Sequence, residues 1–576
     1  KLPVKSVDGE FAYSSARGFE LKGLAAELWG QIVSVDLSQR HAVDGYDPAT
    51  SVVELELTAL ADMGDVRSWL QLEPLAFIDG QASATVGIRL EPGRSPVLTV
   101  DSDLLGVSLD LPEPWRKSSG EPVAMHLEMP LAKEGGPLSI RLGEALELAL
   151  DLEAGSLRGA ALGVNARPLK IEPGVFRVTG HAPLLQGDQW IAFVREYFLA
   201  GDDVENSDAA GQPVQLSDAG QSLPVQPLRI RVEQLSAETL VILERRVSAV
   251  ELNLSLDSAR WEIGAQTDWL RGSLSLARDG GPSNLRIRYL DLDRLTEFTG
   301  TLDDAARAVA EQVAEVDRLP DLPTVHVVLE ELYQSERRLG SLEFDLDNTD
   351  AVLTAANVTG ELAALSMPAE QPARLVWQQG EPGRTELVGR FAFSDLGDTL
   401  DYFDYQRILQ TEEGHFDLAL DWPGSPREFA LLEGRGSVLV DIGSGSFLEV
   451  PAGAAGALRV VSILNLADIV RRLSLSHMFE SGIPFDSVRG NVYLHEGTVE
   501  VTRMDIKGGS SFRFSGVSDV ASRSLNGELV ATLPVANNLP WIAALAASLP
   551  VAAGVFVVSK IFDKQMNRLS SAVYSI

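Results

Sequence analysis

The chain has 576 residues, no cysteine and a formal net charge of -34 at pH 7. Without cysteine it can form no disulfide, no thiolate metal site and no cysteine nucleophile. Nucleic-acid binding depends on clustered Lys and Arg, so this strongly acidic composition excludes the usual DNA-binding and RNA-binding classes.

Apolar and polar side chains alternate along most of the sequence. Leu55 and Leu57 alternate with Glu54 and Glu56, and the same two-residue period returns in many later segments. Residues two apart lie on one face of a strand, so this period predicts strands with one apolar and one polar face. Strands and helices do not alternate as they do in a parallel α/β domain. We therefore predict a mainly β protein with a mostly antiparallel sheet.

The first half of the chain adds helices to this pattern. Strands predominate up to about residue 185, with a short helix predicted over 61–72. Apolar residues at helical spacing predict a second helix over 189–199, followed by an acidic, turn-rich loop over 201–222. A second block of strands, over 227–295, precedes a third predicted helix over 301–316.

The second half begins with a third block of strands over 325–450. A helix is predicted over 456–475, and strands resume over 485–533. Two apolar helices are predicted over 539–548 and 551–569. These changes of pattern divide the chain into four predicted segments, which are 1–200, 201–324, 325–455 and 456–576.

The C-terminal apolar region has no charged residue between Leu529 and Ser559. A window of that length can cross a bilayer, but Pro534, Pro540 and Pro550 interrupt it. We therefore favour two helices that lie on the protein or on a membrane surface over a true membrane span. The residues predicted to contact a membrane or a partner are Trp541, Ile542, Val555, Phe556, Lys560, Lys564 and Arg568.

The inward members of the alternating strands are the candidate binding residues. Packing in a closed core explains any one of them as well as an open channel does, but their number and extent favour the channel. The seven histidines show no metal-ligand spacing. The sixteen candidates for an apolar groove are Leu55, Leu57, Leu252, Leu254, Leu256, Leu285, Ile287, Leu342, Phe344, Leu346, Leu418, Leu420, Val438, Val440, Phe512 and Phe514.

Three features of the sequence match a known pattern. Residues 102–117 read SDLLGVSLDLPEPWRK, and a tryptophan precedes a glycine-bounded strand at both Trp261 and Trp377. Residues 429–519 combine a glycine-rich strand pair, a helix-like SILNLADIVRRLSL segment and a glycine-punctuated hairpin. Together these features resemble the AsmA-like superfamily, and specifically its large YhdP-type members.

This resemblance implies a fold and a function. The implied fold is an elongated, twisted, mostly antiparallel sheet, curled into an open hydrophobic trough (β-taco-like) with short flanking helices and C-terminal helices. The implied function is that of a bridge-type carrier, which moves phospholipids across the periplasm of a Gram-negative bacterium from the inner to the outer membrane. Neither catalysis nor a cofactor is expected. The alternative is a scaffold or assembly factor for outer-membrane proteins and envelope integrity.

The resemblance also implies a location and partners. The expected protein is anchored in the inner membrane by an N-terminal helix that is absent from this chain, which would make the chain a C-terminal fragment. The expected partners are phospholipids, the inner and outer membranes and other envelope proteins, but not nucleic acid.

Overall fold

The chain forms two compact units, Lys1–Asp279 and Gly280–Ile576. The predicted division into four segments stays a prediction. The structure, a computed structural model, describes residues 4–8, 10–14, 18–28, 31–40, 52–70, 76–91, 93–131, 136–153, 156–194, 196, 228–257, 259–278, 281–299, 324–349, 351–380, 383–426, 428–448, 483–509, 511–522, 524–534 and 569–575.

The first unit is a sheet of strands with two short helices. The helices are α1 (Met63–Leu70) and α2 (Gly187–Val194). The strands are β1 (Val4–Asp8), β2 (Phe11–Ser14), β3 (Gly18–Leu28), β4 (Gln31–Arg40), β5 (Val52–Asp62), β6 (Ile78–Leu90), β7 (Val97–Ser102), β8 (Val107–Leu109), β9 (Met125–Pro130), β10 (Leu138–Leu142), β11 (Leu146–Glu153), β12 (Ser156–Val164), β13 (Val175–Gln186), β14 (Arg229–Ile242), β15 (Arg245–Leu256), β16 (Arg260–Gln266) and β17 (Leu270–Ala277).

Neighbouring strands of this unit mostly follow one another in the chain. From β3 to β7, and again from β9 to β17, each strand pairs with the next, and β7 pairs with β9. The pairs β12–β13 and β13–β14 are parallel, and the others in this series are antiparallel. Strands β1 and β2 both pair with β3, and the short β8 pairs with β6.

The second unit has the same construction. Its helices are α3 (Leu292–Thr299) and α4 (Leu396–Tyr402). Its strands are β18 (Ser283–Asp291), β19 (Val325–Gln334), β20 (Arg337–Thr349), β21 (Val352–Leu362), β22 (Leu365–Met367), β23 (Ala373–Gln378), β24 (Arg384–Phe393), β25 (Leu409–Thr411), β26 (Gly414–Pro423), β27 (Arg435–Ile442), β28 (Gly445–Phe447), β29 (Ile483–Phe485), β30 (Ser487–His495), β31 (Thr498–Lys507), β32 (Ser511–Asp519), β33 (Ser524–Pro534) and β34 (Leu569–Ser575).

One main sheet runs through this unit. Strand β18 pairs in parallel with β19, and antiparallel pairs then link β19, β20, β21, β23, β24, β26, β27 and β30 to β34 in that order. Strand β22 pairs with β21 and β24, while β25, β28 and β29 form a small separate sheet. The prediction of a mainly β protein with a mostly antiparallel sheet is confirmed.

The helix predictions have mixed outcomes. The helix predicted over 61–72 is confirmed for Met63–Leu70, and the one predicted over 189–199 is confirmed up to Val194, whereas α3 and α4 were not predicted. The helix predicted to reach Leu569 is wrong at that end, because Leu569 begins β34 and pairs with Pro534 of β33. Predictions for 201–222, 301–316, 456–475 and 539–548 fall outside the described residues.

Both sheets curl because neighbouring strands bend at neighbouring positions. The pairing register shifts between Val178 and Gly180 in the first unit, and between Leu329 and Leu332 in the second. Such β-bulges bend a strand and increase its twist. Gly180 has φ +128°, and a Cβ there would meet the Val164 carbonyl oxygen at 2.0 Å, so only glycine fits this bend. The predicted curl is confirmed within each unit, and the open trough stays a prediction.

Candidate functional site

All sixteen groove candidates lie on one face of the sheet of their unit. Residues that pair directly across a ladder project to the same side, so the register identifies the two faces. In the first unit Leu57 pairs with Val86, and Leu254 pairs with Val232 and Ile263. We call the side that carries the candidates the apolar face and the opposite side the polar face.

The apolar face of the first unit holds an unbroken row of hydrophobic side chains, one from each strand from β3 to β7 and from β9 to β17. Each member pairs directly with the next. We call this set the long apolar row. Its members are Leu24, Val35, Leu57, Val86, Val100, Leu127, Ile140, Leu148, Leu162, Val178, Val232, Leu254, Ile263 and Leu274.

Most of the long apolar row is half-buried. Leu24, Val35 and Leu57 are buried, with 9%, 8% and 5% of their surface exposed. Every later member, from Val86 to Leu274, has intermediate exposure. These side chains contact their neighbours in the sheet and still present part of their surface to a molecule lying on the apolar face. An apolar surface this extensive is the kind that marks a binding site.

The connection between β12 and β13 leaves the apolar face clear. A Cβ on Gly163 would meet the Ala166 carbonyl oxygen at 2.0 Å, and one on Gly159 would meet the Glu172 oxygen at 2.4 Å. Both glycines lie on the face opposite to row member Leu162, which is the polar face. Residues 165–174 therefore cross over the polar face. Arg177 holds the crossover there through an ion pair with Glu172.

Most candidates on the apolar face of the second unit's first strands are half-buried, although Val327 between them is only 3% exposed. Leu285 pairs with Val327 and Val327 with Phe344, while Leu387 links Leu375 to Leu420. Seven of the sixteen candidates lie in β18, β20 and β26, and these seven, with Val438 of β27, have intermediate exposure. They are Leu285, Ile287, Leu342, Phe344, Leu346, Leu418 and Leu420 together with the neighbouring strand's Val438.

Three candidates, Leu57, Val440 and Phe514, are buried within hydrophobic clusters, and several half-buried candidates pack against these clusters. Phe514 and Val440, 1% and 9% exposed, belong to the largest hydrophobic cluster of the second unit, and Phe512 packs against it. Leu57 lies in a cluster with Val33 and Ala59. For these residues the observed contacts are those of core packing, the alternative left open by the sequence. The predicted membrane or partner contacts, from Trp541 to Arg568, lie outside the described residues.

Comparison with known proteins identifies the family. A model of the YhdP protein family matches residues 1–576, the entire chain. The chain belongs to the YhdP protein family. The intermembrane phospholipid transporter YhdP of Escherichia coli strain K12 is 23% identical over 602 aligned residues, which cover 100% of this chain and 43% of that relative. The chain therefore spans less than half the length of the curated relative. No solved structure gave a significant match.

The family assignment confirms the resemblance drawn from the sequence, and the structure gives one of its motifs a physical role. The SDLLGVSLDLPEPWRK segment of this YhdP-family chain ends in Lys117, which is only 4% exposed. Its Nζ donates to the carbonyl oxygens of Leu104, Val107 and Ser118 at 2.8, 2.6 and 3.1 Å. Burial lowers the pKa of this ammonium group. All three donors are satisfied, so Lys117 ties the segment together.

Aromatic side chains connect this segment to α2. The rings of Trp115 and Trp190 are 5.7 Å apart, and Trp190 lies 5.5 Å from Phe193. Both tryptophans pack against a buried cluster that includes Val164 and Leu235 of the apolar face. Helix α2 and the 102–117 segment of this YhdP-family chain thus pack together against the apolar face near Val164 and Leu235. No described helix combines the length and apolar character needed to cross a bilayer.

Replacing Lys117 by Met should lower the free energy of unfolding of the first unit by about 3 kcal/mol, because three buried carbonyl oxygens lose their donor. Chemical denaturation followed by intrinsic Trp fluorescence measures the effect. The control is Arg116→Met, since the Arg116 side chain is 56% exposed and its ion pair with Asp110 is a surface contact. Equal stability of the two variants would contradict this role of Lys117.

The polar face of the second unit carries cross-strand ion pairs. Arg390 donates from Nε and Nη2 to the Asp417 carboxylate at 2.6 and 2.7 Å. These hydrogen bonds lower the pKa of Asp417. A carboxyl group whose pKa is lower in the folded than in the unfolded protein, where it is about 4, stabilises the fold at pH values above about 4. This stabilisation is lost as the pH falls through the folded-state pKa.

The Asp417→Asn variant should therefore be less stable than the parent by about 1 kcal/mol near neutral pH, and the difference should shrink at acidic pH. Denaturation midpoints measured as a function of pH test this expectation. A stability difference that stays constant from neutral to strongly acid solution would mean that the ion pair does not contribute.

Proposed function

We propose that this chain is part of a bridge-type phospholipid carrier between the inner and outer membranes of a Gram-negative bacterium, with acyl chains lying on the apolar face. The half-buried long apolar row is the observation that carries this proposal. The E. coli relative, named as an intermembrane phospholipid transporter, supports it. The proposed location is the periplasm, with anchoring to the inner membrane, and the proposed partners are phospholipids, the two membranes and envelope proteins.

The energetics explain why such a surface is useful. Exposing two acyl chains of about fifteen methylenes each to water costs on the order of 20 kcal/mol, at about 0.8 kcal/mol per CH₂. A continuous apolar surface removes most of that cost at every point along the way. No bond is made or broken, so the role is non-enzymatic and needs no cofactor.

The dimensions of the first unit suit this task. Neighbouring strands lie about 4.8 Å apart, so the long apolar row measures roughly 60 Å along the sheet surface. The acyl region of one leaflet is roughly 15 Å deep. Several lipids can therefore follow one another along one unit, which is the behaviour expected of a bridge and not of a shuttle that carries a single lipid.

Native mass spectrometry of the full chain, purified from a Gram-negative host, tests the proposed function. We expect protein ions whose mass includes one or more bound phospholipids. These lipids should dissociate from the protein only at high collision energy. Consistent absence of lipid, under conditions in which a control lipid-binding protein keeps its lipid, would contradict the carrier and favour the scaffold alternative.

A further inference from the structure

The apolar face of the second unit changes character between β26 and β30. One row of paired residues crosses this boundary, from Leu418 through Val438 and Val492 to Val501. Leu418 and Val438 are half-buried, whereas Val492 is 9% and Val501 is 2% exposed. The face is thus accessible at β26 and sealed two strands later.

The neighbouring row shows the same transition. Phe391 pairs with Phe416, and both are half-buried. The row then continues through Val440 and Gly490 to Met504, Phe514 and Leu529. Exposure along it falls to 3% at Met504, 1% at Phe514 and 2% at Leu529.

Described residues at both ends of the strands close this part of the sheet. At the end that bears α4, Leu409 of β25, Phe447 of β28 and Phe485 of β29 belong to the same cluster, and the rings of Phe447 and Phe485 are 5.0 Å apart. At the opposite end, Leu431 and Val520 pack against the cluster. The small three-stranded sheet thus helps to turn the end of an open face into a closed core.

A closed core leaves no room for an acyl chain. Protein interiors are packed as densely as organic crystals, and added methylenes force side chains out of their preferred rotamers. An acyl chain on β30–β33 would have to displace the residues that already fill this space. On β18–β26 it would replace water above side chains that are only half-buried.

We propose that the acyl-chain route ends at β27, and that β30–β33 form a closed terminal block that lipids do not enter. Leu418 and Val438 are then the last contacts of the route on this sheet, and a lipid that reaches them must leave the apolar face. This inference rests on the proposed function and adds the position at which the route stops.

Native methionines provide an almost unperturbed test. Met129 lies on the apolar face of the first unit, because it is two residues from row member Leu127 in the same strand, and it has intermediate exposure. Met504 lies in the closed block. Leu418→Met adds a third position at the proposed end of the route, and Leu-to-Met changes are tolerated well. The full chain, labelled with the diazirine analogue of methionine, is irradiated with vesicles of phosphatidylethanolamine and phosphatidylglycerol. Peptide mapping by mass spectrometry then locates the lipid adducts.

We expect adducts at position 129 and at position 418 of the variant, and at least tenfold fewer at position 504. Adducts at position 504 as abundant as those at position 418 would show that the route continues through the terminal block and would overturn the inference. Adducts at position 129 alone would place the end earlier and would overturn it too. Absence of adducts at all three positions would instead count against the proposed function itself. Circular dichroism of the labelled protein verifies that the closed core has kept its fold.

Discussion

Replacing Leu254 and Leu418 together by Asp should reduce phospholipid transfer by about 100-fold while the protein stays folded. A carboxylate where hydrocarbon must lie costs about 3 kcal/mol, and each 1.4 kcal/mol corresponds to about a tenfold change. Both leucines are half-buried, so in the lipid-free protein the new carboxylates can remain hydrated. Transfer of a fluorescent phospholipid between vesicles measures the loss.

The matched control places the same charges one residue further along each strand. Ser255→Asp and Ala419→Asp lie on the polar face, because they alternate with Leu254 and Leu418. This control should transfer lipid at the parental rate. Full transfer by the Leu254→Asp, Leu418→Asp variant would refute the apolar face as the route, and equal loss in the control would indicate a general effect of added charge.

Truncating Phe514 to Ala should lower the free energy of unfolding of the second unit by about 4 kcal/mol, because it opens a cavity in a closed core. The same truncation at Leu418 should cost only about 1 kcal/mol, since this side chain is half-buried and water can occupy the space. Hydrogen-exchange mass spectrometry of peptides from β32 and β26 measures both effects. Similar costs at the two positions would mean that both lie in one core.

The alternating pattern predicts the faces of this sheet well because its period is two. A one-residue error in register would move a side chain to the opposite face, and none of the sixteen candidates is misplaced in this way. The parallel pairs β12–β13, β13–β14 and β18–β19 were not predicted. Which distant strands become neighbours is not encoded in the local alternation of either strand.

Exposure could not be predicted from the local pattern either. Leu418 and Phe514 occupy equivalent positions in alternating segments, yet one is half-buried and the other sealed. Phe514 lies in one cluster with Phe485, and Phe447 of the short sheet of β25, β28 and β29 packs against that cluster. Packing partners so far apart in the chain leave no periodic signal.

The sequence does carry a signal for α4. Asp62-Met63-Gly64-Asp65 at the start of α1 has a counterpart in Asp395-Leu396-Gly397-Asp398 at the start of α4. In each, the first Asp accepts a hydrogen bond from the backbone N–H of the glycine, at 2.8 Å in α1 and 2.9 Å in α4. This is the usual N-cap arrangement. Comparing the two stretches would have predicted the later helix from the earlier one.

Electron cryomicroscopy of the full chain, reconstituted with phosphatidylethanolamine, would show directly whether acyl chains lie on the apolar face. We expect elongated, acyl-shaped density against the long apolar row between Val86 and Leu274, and none inside the block of β30–β33. Density showing protein side chains packed over that row, with no lipid on the apolar face, would contradict it.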